Sequence, residues 1–180
     1  MRACLDACVL YPSVLREILL GAAKRGLYTP IWSDRILEEW ARATRKLGPE
    51  AEAQARGEVA LARANFPKAS IEPKAGDLVR LHLPDENDIH VLATAIAASA
   101  DMIVTLNAKD FPRQTLAFQG LRRESPDAFL MALWMVQPDA VAALVGEVHK
   151  TAQHMMGEEI ALRGLLKRAR LPRLGKALVA

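Results

Sequence analysis

Cysteine is nearly absent from this chain: Cys4 and Cys8 are the only two among 180 residues. Four apart on one strand, they would lie roughly 13 Å from each other, too far for a disulfide. A disulfide-stapled scaffold is excluded, and both thiols read as small buried apolar groups. Long apolar runs are also missing. None reaches the ~18 residues of a membrane span, and the N-terminus lacks the basic start, apolar stretch and small-residue cleavage site of a secretory leader. The expectation is a cytoplasmic protein with no membrane partner. Aromatic residues are few, at 5%, but 51% hydrophobic and 25% charged residues describe a globular domain with a sizeable core.

Familiar catalytic signatures are lacking as well. The four histidines, His82, His90, His149 and His154, show no paired metal spacing. There is no glycine-rich phosphate loop and no G-x-S-x-G elbow. An aspartyl phosphatase would favour a second acid two residues after Asp6, where Cys8 stands. Negative charge is absent from residues 160–180, which carry Arg163, Lys167, Arg168, Arg170, Arg173 and Lys176. The net charge of +3 thus hides a +6 tail on a −3 body. Such a tail suits an anionic partner or an acidic protein, or is simply a solvated helix end.

The elements alternate at first. Residues 2–6 read as a strand, followed by a helix from Ser13 to about Lys24 that Gly26 ends. Ser33 caps a helix to about Leu47. An Ala-rich helix follows Gly48-Pro49, and 69–72 read as a short strand. Asp85 caps a helix to about Ser99, on which His90 points outward. Met102–Leu106 is a continuous apolar run of buried parallel-strand type, and Leu116–Phe118 suggests one more strand. From Ser125-Pro126-Asp127 the chain turns wholly helical. The pattern predicts an α/β fold with a parallel sheet, residues 1–124, and a helical extension, residues 125–180, packed on the same domain.

Four acidic positions stand at the edges of apolar segments. Asp6 ends the first strand, where open α/β sheets bind ligands. Glu39 sits about 110° from the centre of its helix's apolar face, whereas Glu38 lies nearly opposite that face and can pair with Arg42. Asp88 is about 60° from the buried face of the next helix, in its first turn. Asp110 follows the second strand by four residues and is either a site acid or a turn aspartate. Thr105 and Asn107 either support the site or occupy a turn. Carboxylates brought together raise one another's pKa values, and a hard divalent cation relieves the repulsion.

In order and spacing these residues resemble the PIN-domain family, in particular toxin ribonucleases of the VapC type and related bacterial PIN proteins. The resemblance covers residues 2–124. It rests on Leu5-Asp6-Ala7-Cys8-Val9-Leu10-Tyr11-Pro12, Ile36-Leu37-Glu38-Glu39-Trp40, the stretch Asp85–Ala95 with Asp88, and Ile103–Pro112 with Asp110. Cys8 stands where members often carry Asn, and Asn107 where many carry an acid. The resemblance implies a three-layer α/β/α sandwich around a central parallel sheet. It implies a Mg²⁺- or Mn²⁺-dependent endoribonuclease, the toxin of a toxin–antitoxin pair, with Asp6, Glu39, Asp88 and Asp110 as catalytic and metal-binding acids and Thr105 and Asn107 in support. The implied partners are RNA, an antitoxin protein and a second copy of the chain. A catalytically weak PIN-like module that binds RNA or protein, and a DNA-directed nuclease, are the alternatives.

Overall fold

The computed structural model describes residues 1–179. They form two compact units, one of Met1–Tyr11 with Tyr28–Glu124, the other of Pro12–Leu27 with the chain from Ser125 onward. In the first unit, β1 (Arg2–Leu5) leads through Asp6 into a single-turn helix, α1 (Ala7–Leu10). The next helix, α2 (Ser13–Lys24), belongs to the second unit. Strand β2 (Thr29–Ile31) is followed by α3 (Asp34–Ala43), α4 (Pro49–Asn65) and the short α5 (Ala75–Arg80). Then come α6 (Ile89–Ala97), β3 (Met102–Val104), α7 (Arg113–Phe118) and β4 (Arg122–Glu124).

All strand pairs are parallel, in the order β2-β1-β3-β4. Past Arg2 the middle pair is apolar: Ala3, Cys4, Leu5, Ile103 and Val104 are all completely buried, as expected for strands covered on both faces. The register aligns Leu5 with Val104, and Val104 with Glu124. The carboxyl ends of β1, β3 and β4 therefore share one edge of the sheet. α6 packs on β1 and β3. Local chemistry fixes the ends of the helices: Ser33 Oγ accepts from Ile36 N to cap α3, and Gly48, at φ 111°, turns the chain into α4 with Pro49 at its first position.

Several expectations are corrected. Leu116–Phe118 lie in helix α7, and the strand comes later, as the charged Arg122–Glu124. Gly120, at φ 70°, ends the helix and frees the chain to extend. Thr29–Ile31 form an edge strand around a proline, a position that tolerates the missing N–H. Residues 69–72 contribute only an isolated bridge between Ser70 and Trp32. Cys8 sits on helix α1, not on a strand, and makes polar contacts. His90 is buried at 2% exposure, not exposed, because its side chain turns toward Glu39 of α3.

The second unit joins α2 to α8 (Pro126–Val136), α9 (Pro138–Met156), α10 (Leu162–Arg168) and α11 (Pro172–Ala177). Ser125 caps α8 by accepting from Ala128 N at 3.2 Å. Gly157, in the left-handed conformation, ends α9. Asp127 is buried, and its carboxylate accepts from the backbone N–H groups of Arg173 at 3.0 Å and Leu174 at 3.1 Å, tying α8 to the start of α11. Asp127→Ala should lower the unfolding free energy by about 2–3 kcal/mol, since two amides lose a charged acceptor. A shift of the urea midpoint checks this; an unchanged midpoint would mean that water replaces the carboxylate.

Candidate active site

The aligned sheet edge sets the first acid. Asp6 N donates to Val104 O at 3.2 Å, which fixes the residue just beyond β1 beside the end of β3. Asp6 is 6% exposed. Oδ2 accepts from Thr105 Oγ1 at 2.6 Å and from Cys8 Sγ at 3.0 Å. Thr105 Oγ1 in turn accepts from Asn107 N at 2.9 Å, and Cys8 Sγ accepts from Leu106 N at 3.2 Å. Burial and the neighbouring Asp6 charge push the Cys8 thiol up to about 12, so it stays protonated and able to donate. The loop after β3 is thus held to the end of β1 through one carboxylate, one hydroxyl and one thiol.

Asn107 carries the connection onward. Its Nδ2 donates to Asp88 Oδ2 at 3.1 Å. Asp88 ends a 3-10 turn, Glu86–Asp88, that Asp85 opens by accepting from Asn87 N at 2.9 Å. Asp110 comes from the loop after β3. Phe111 anchors that loop in the core, and Arg123 of β4 donates Nη1 to the carbonyls of Ala108 and Phe111. Asp85, Asp88 and Asp110 each present a carboxylate oxygen, and the three oxygens lie within 4.8 Å of one another.

Electrostatics agree with this crowding. The Asp88 carboxyl is raised to about 6, first by its partial burial and then by the charges of Asp6, Asp85 and Asp110. Glu39 is differently placed. Its Oε1 accepts from Arg35 Nε at 3.0 Å and lies 3.0 Å from His90 Nε2, close but poorly aligned for an N–H donor. Partial burial alone would raise this carboxyl, but His90 and Arg35 outweigh it and hold it below the usual range. Arg35 also donates to Asn87 O at 3.3 Å, so Glu39 stands next to the acidic turn through an intermediary. Glu38 faces the other way, gripped by Arg56 and Arg42 and held at about 2 by those partners.

The structure therefore brings Asp88 and Asp110 together, places Asp6 close enough to act on Asp88, and links Glu39 to the turn by way of Arg35. Thr105 and Asn107 both hydrogen-bond to acids. Asp85 is the acid that its capping role concealed; the Asp-x-x-Asp spacing of 85 and 88 was its available signal. Nothing in the sequence pattern marks Arg35, His90 or Arg123, which act across elements.

An all-oxygen donor set of three carboxylates suits a hard divalent cation. Asp85, Asp88 and Asp110 fit such an ion, since the mutual repulsion that raises Asp88 is what a cation would relieve. A family model of the PIN domain matches residues 2–109. With its parallel sheet and its acids at the carboxyl edge, the chain belongs to the PIN domain family, whose members are generally nucleases. Neither a curated protein nor a solved structure matches the chain. Among the described residues no helix is long and apolar enough to cross a membrane.

The raised Asp88 carboxyl has a consequence for stability without metal. The folded state binds this proton more tightly than the unfolded chain, so its contribution to stability falls as pH rises from about 4 to about 6. In EDTA, Asp88→Asn should remove that fall and be the more stable protein above pH 6. Thermal unfolding across pH 4–7 checks it; parallel curves for the two proteins would contradict the assignment.

Proposed function

We propose that this chain is a Mg²⁺- or Mn²⁺-dependent endoribonuclease and the toxin of a toxin–antitoxin pair. The observation that carries the reading is the convergence of Asp85, Asp88 and Asp110 with the neighbouring Asp6, at the carboxyl edge of a PIN-type sheet. In this reading Asp85, Asp88 and Asp110 would hold the ion, with Asp6 beside them. A divalent ion bound there supplies a water of lowered pKa and charge stabilisation at a phosphodiester. The chain's own residues position the rest. Thr105 and Cys8 hold the Asp6 carboxylate, Asn107 holds Asp88, and Arg123 holds the loop of Asp110. Glu39 is the fourth acid named by the family resemblance, and Arg35 pairs with it at 3.0 Å.

One observation favours the alternative, a weakly catalytic binding module. Asn107, at the position where many family members carry an acid, brings Asp88 a neutral amide, so one carboxylate fewer is present for a second ion. Cleavage decides between them. The purified protein should cut single-stranded RNA with Mg²⁺ or Mn²⁺ and stop with EDTA. Asp88→Asn should cost at least about 100-fold, the upper end of what losing even a supporting partner of a metal site costs. No cleavage of varied RNAs by the wild type would favour the binding module, and cleavage of DNA alone would move the substrate class.

The adjacent glutamates supply an internal control. Glu39→Gln should lower cleavage about tenfold or more, because it loosens Arg35 from the acidic turn. Glu38→Gln breaks only an exposed pairing with Arg42 and Arg56 and should stay within about twofold of wild type. Equal losses in the two variants would show that Glu39 has no special place.

A further inference from the structure

The second unit ends in a helical hairpin with two unlike faces. On one side Leu165, Leu166, Leu171 and Leu174 are buried. The two helices approach closely at Gly175, where a Cβ would lie 3.1 Å from Leu166 Cβ. Asp127 spends its carboxylate on the backbone at the start of α11. The hairpin is therefore a built element rather than a loose end. On the other side Arg163, Lys167, Arg168, Arg170, Arg173 and Lys176 are all exposed.

None of these six side chains reaches a carboxylate or any other hydrogen-bond partner among the described residues. Several arginines elsewhere are paired: Arg35, Arg42, Arg45, Arg56 and Arg63 each meet a carboxylate. Arg170 is also held at φ 65°, a left-handed turn that glycine makes freely and that costs an arginine roughly 1 kcal/mol. Six unneutralised charges on a rigid frame repel one another and gather counterions, which a polyanion would release.

We propose that the α10–α11 hairpin is a nucleic-acid-backbone clamp whose cations bind the phosphates of single-stranded RNA. The inference rests on the nuclease reading above and deepens it by naming a substrate surface. Four of the six cations are arginines, whose planar forks match phosphate geometry. The remainder of the chain carries a net −3 and would by itself repel a polyanion.

The test uses the full-length protein in EDTA, so that binding is read without cleavage. A labelled single-stranded RNA is titrated from low to high salt against wild type, the triple variant R163Q/K167Q/R168Q, and the charge-keeping R163K/R168K. Each lost phosphate contact removes about 0.7 from the slope of log affinity against log salt. The triple variant should lose about 2 from that slope. It should bind about 100-fold more weakly at 0.1 M salt and converge on wild type near 1 M. The charge-keeping variant should keep the slope. Equal melting temperatures for all three proteins show that the fold is intact, since the altered residues are exposed.

An unchanged slope in the triple variant overturns the proposal. So does a loss confined to polyglutamate, a probe of matching charge, because the hairpin would then be a surface for an acidic protein. A wild type that binds with the expected slope yet never cuts RNA with Mg²⁺ would sink the nuclease reading and support the clamp.

Discussion

Like charges confined to a partly buried pocket repel, and the edge of this sheet is organised around that repulsion. Asp6 cannot move away: its backbone is locked to Val104 and its carboxylate is held by Thr105 and Cys8. Asp88 sits in the field of three other aspartates, and its raised carboxyl records the cost. Isolated in water these carboxylates would drift apart. What prevents this is the packing beneath them. The two buried central strands fix one pair of loops, and Phe111 and Arg123 fix the loop of Asp110. Folding energy from the apolar layer is thus spent on holding an arrangement that is unfavourable until a cation enters it.

The supporting contacts share a logic. Asp6, Asp88 and Asp85 each touch a neutral donor or a backbone amide, and Asp110 has the exposed Lys109 Nζ at 4.0 Å. Asp6 has a hydroxyl and a thiol, Asp88 an amide, and Asp85 the Asn87 backbone and side chain. Neutral donors orient a carboxylate without cancelling its charge. Full ion pairs appear farther out, at Glu38 and Glu39, where Arg42, Arg56 and Arg35 hold them. The division leaves Asp6, Asp85 and Asp88 without a cation and the two glutamates paired.

Parts of this were legible in the residues. The run Met102–Leu106 announced a buried strand because a strand covered on both faces has no polar alternation to show. The α/β class with a parallel sheet followed from alternating apolar segments, the PIN-type arrangement from the family resemblance, and Asp6, Asp88 and Asp110 stood out as acids at segment edges. The edge strands were not legible. Thr29–Ile31 and Arg122–Glu124 carry no hydropathy signal and exist as strands because β1 and β3 offer them open hydrogen-bonding edges. His90 was misjudged because a helical wheel describes a residue's own helix and is blind to a neighbour such as α3 arriving over it; Asp85 does cap its turn, and its part in the cluster comes from the Asp110 loop.

The sequence by itself determined the main buried segments, the caps and breaks of most long helices, and which carboxylates stand at element ends. These are local matters of periodicity, capping and backbone conformation. Only the tertiary structure decided which acids meet. Strand register sets Asp6 beside Thr105 across 99 positions of chain. The capping aspartate Asp85 becomes part of a three-acid cluster because the Asp110 loop is pressed against its turn. The grouping of Pro12–Leu27 with the helices after Ser125 is likewise a matter of packing. Distance along the chain carries no record of such meetings, because they depend on how separate apolar faces come together.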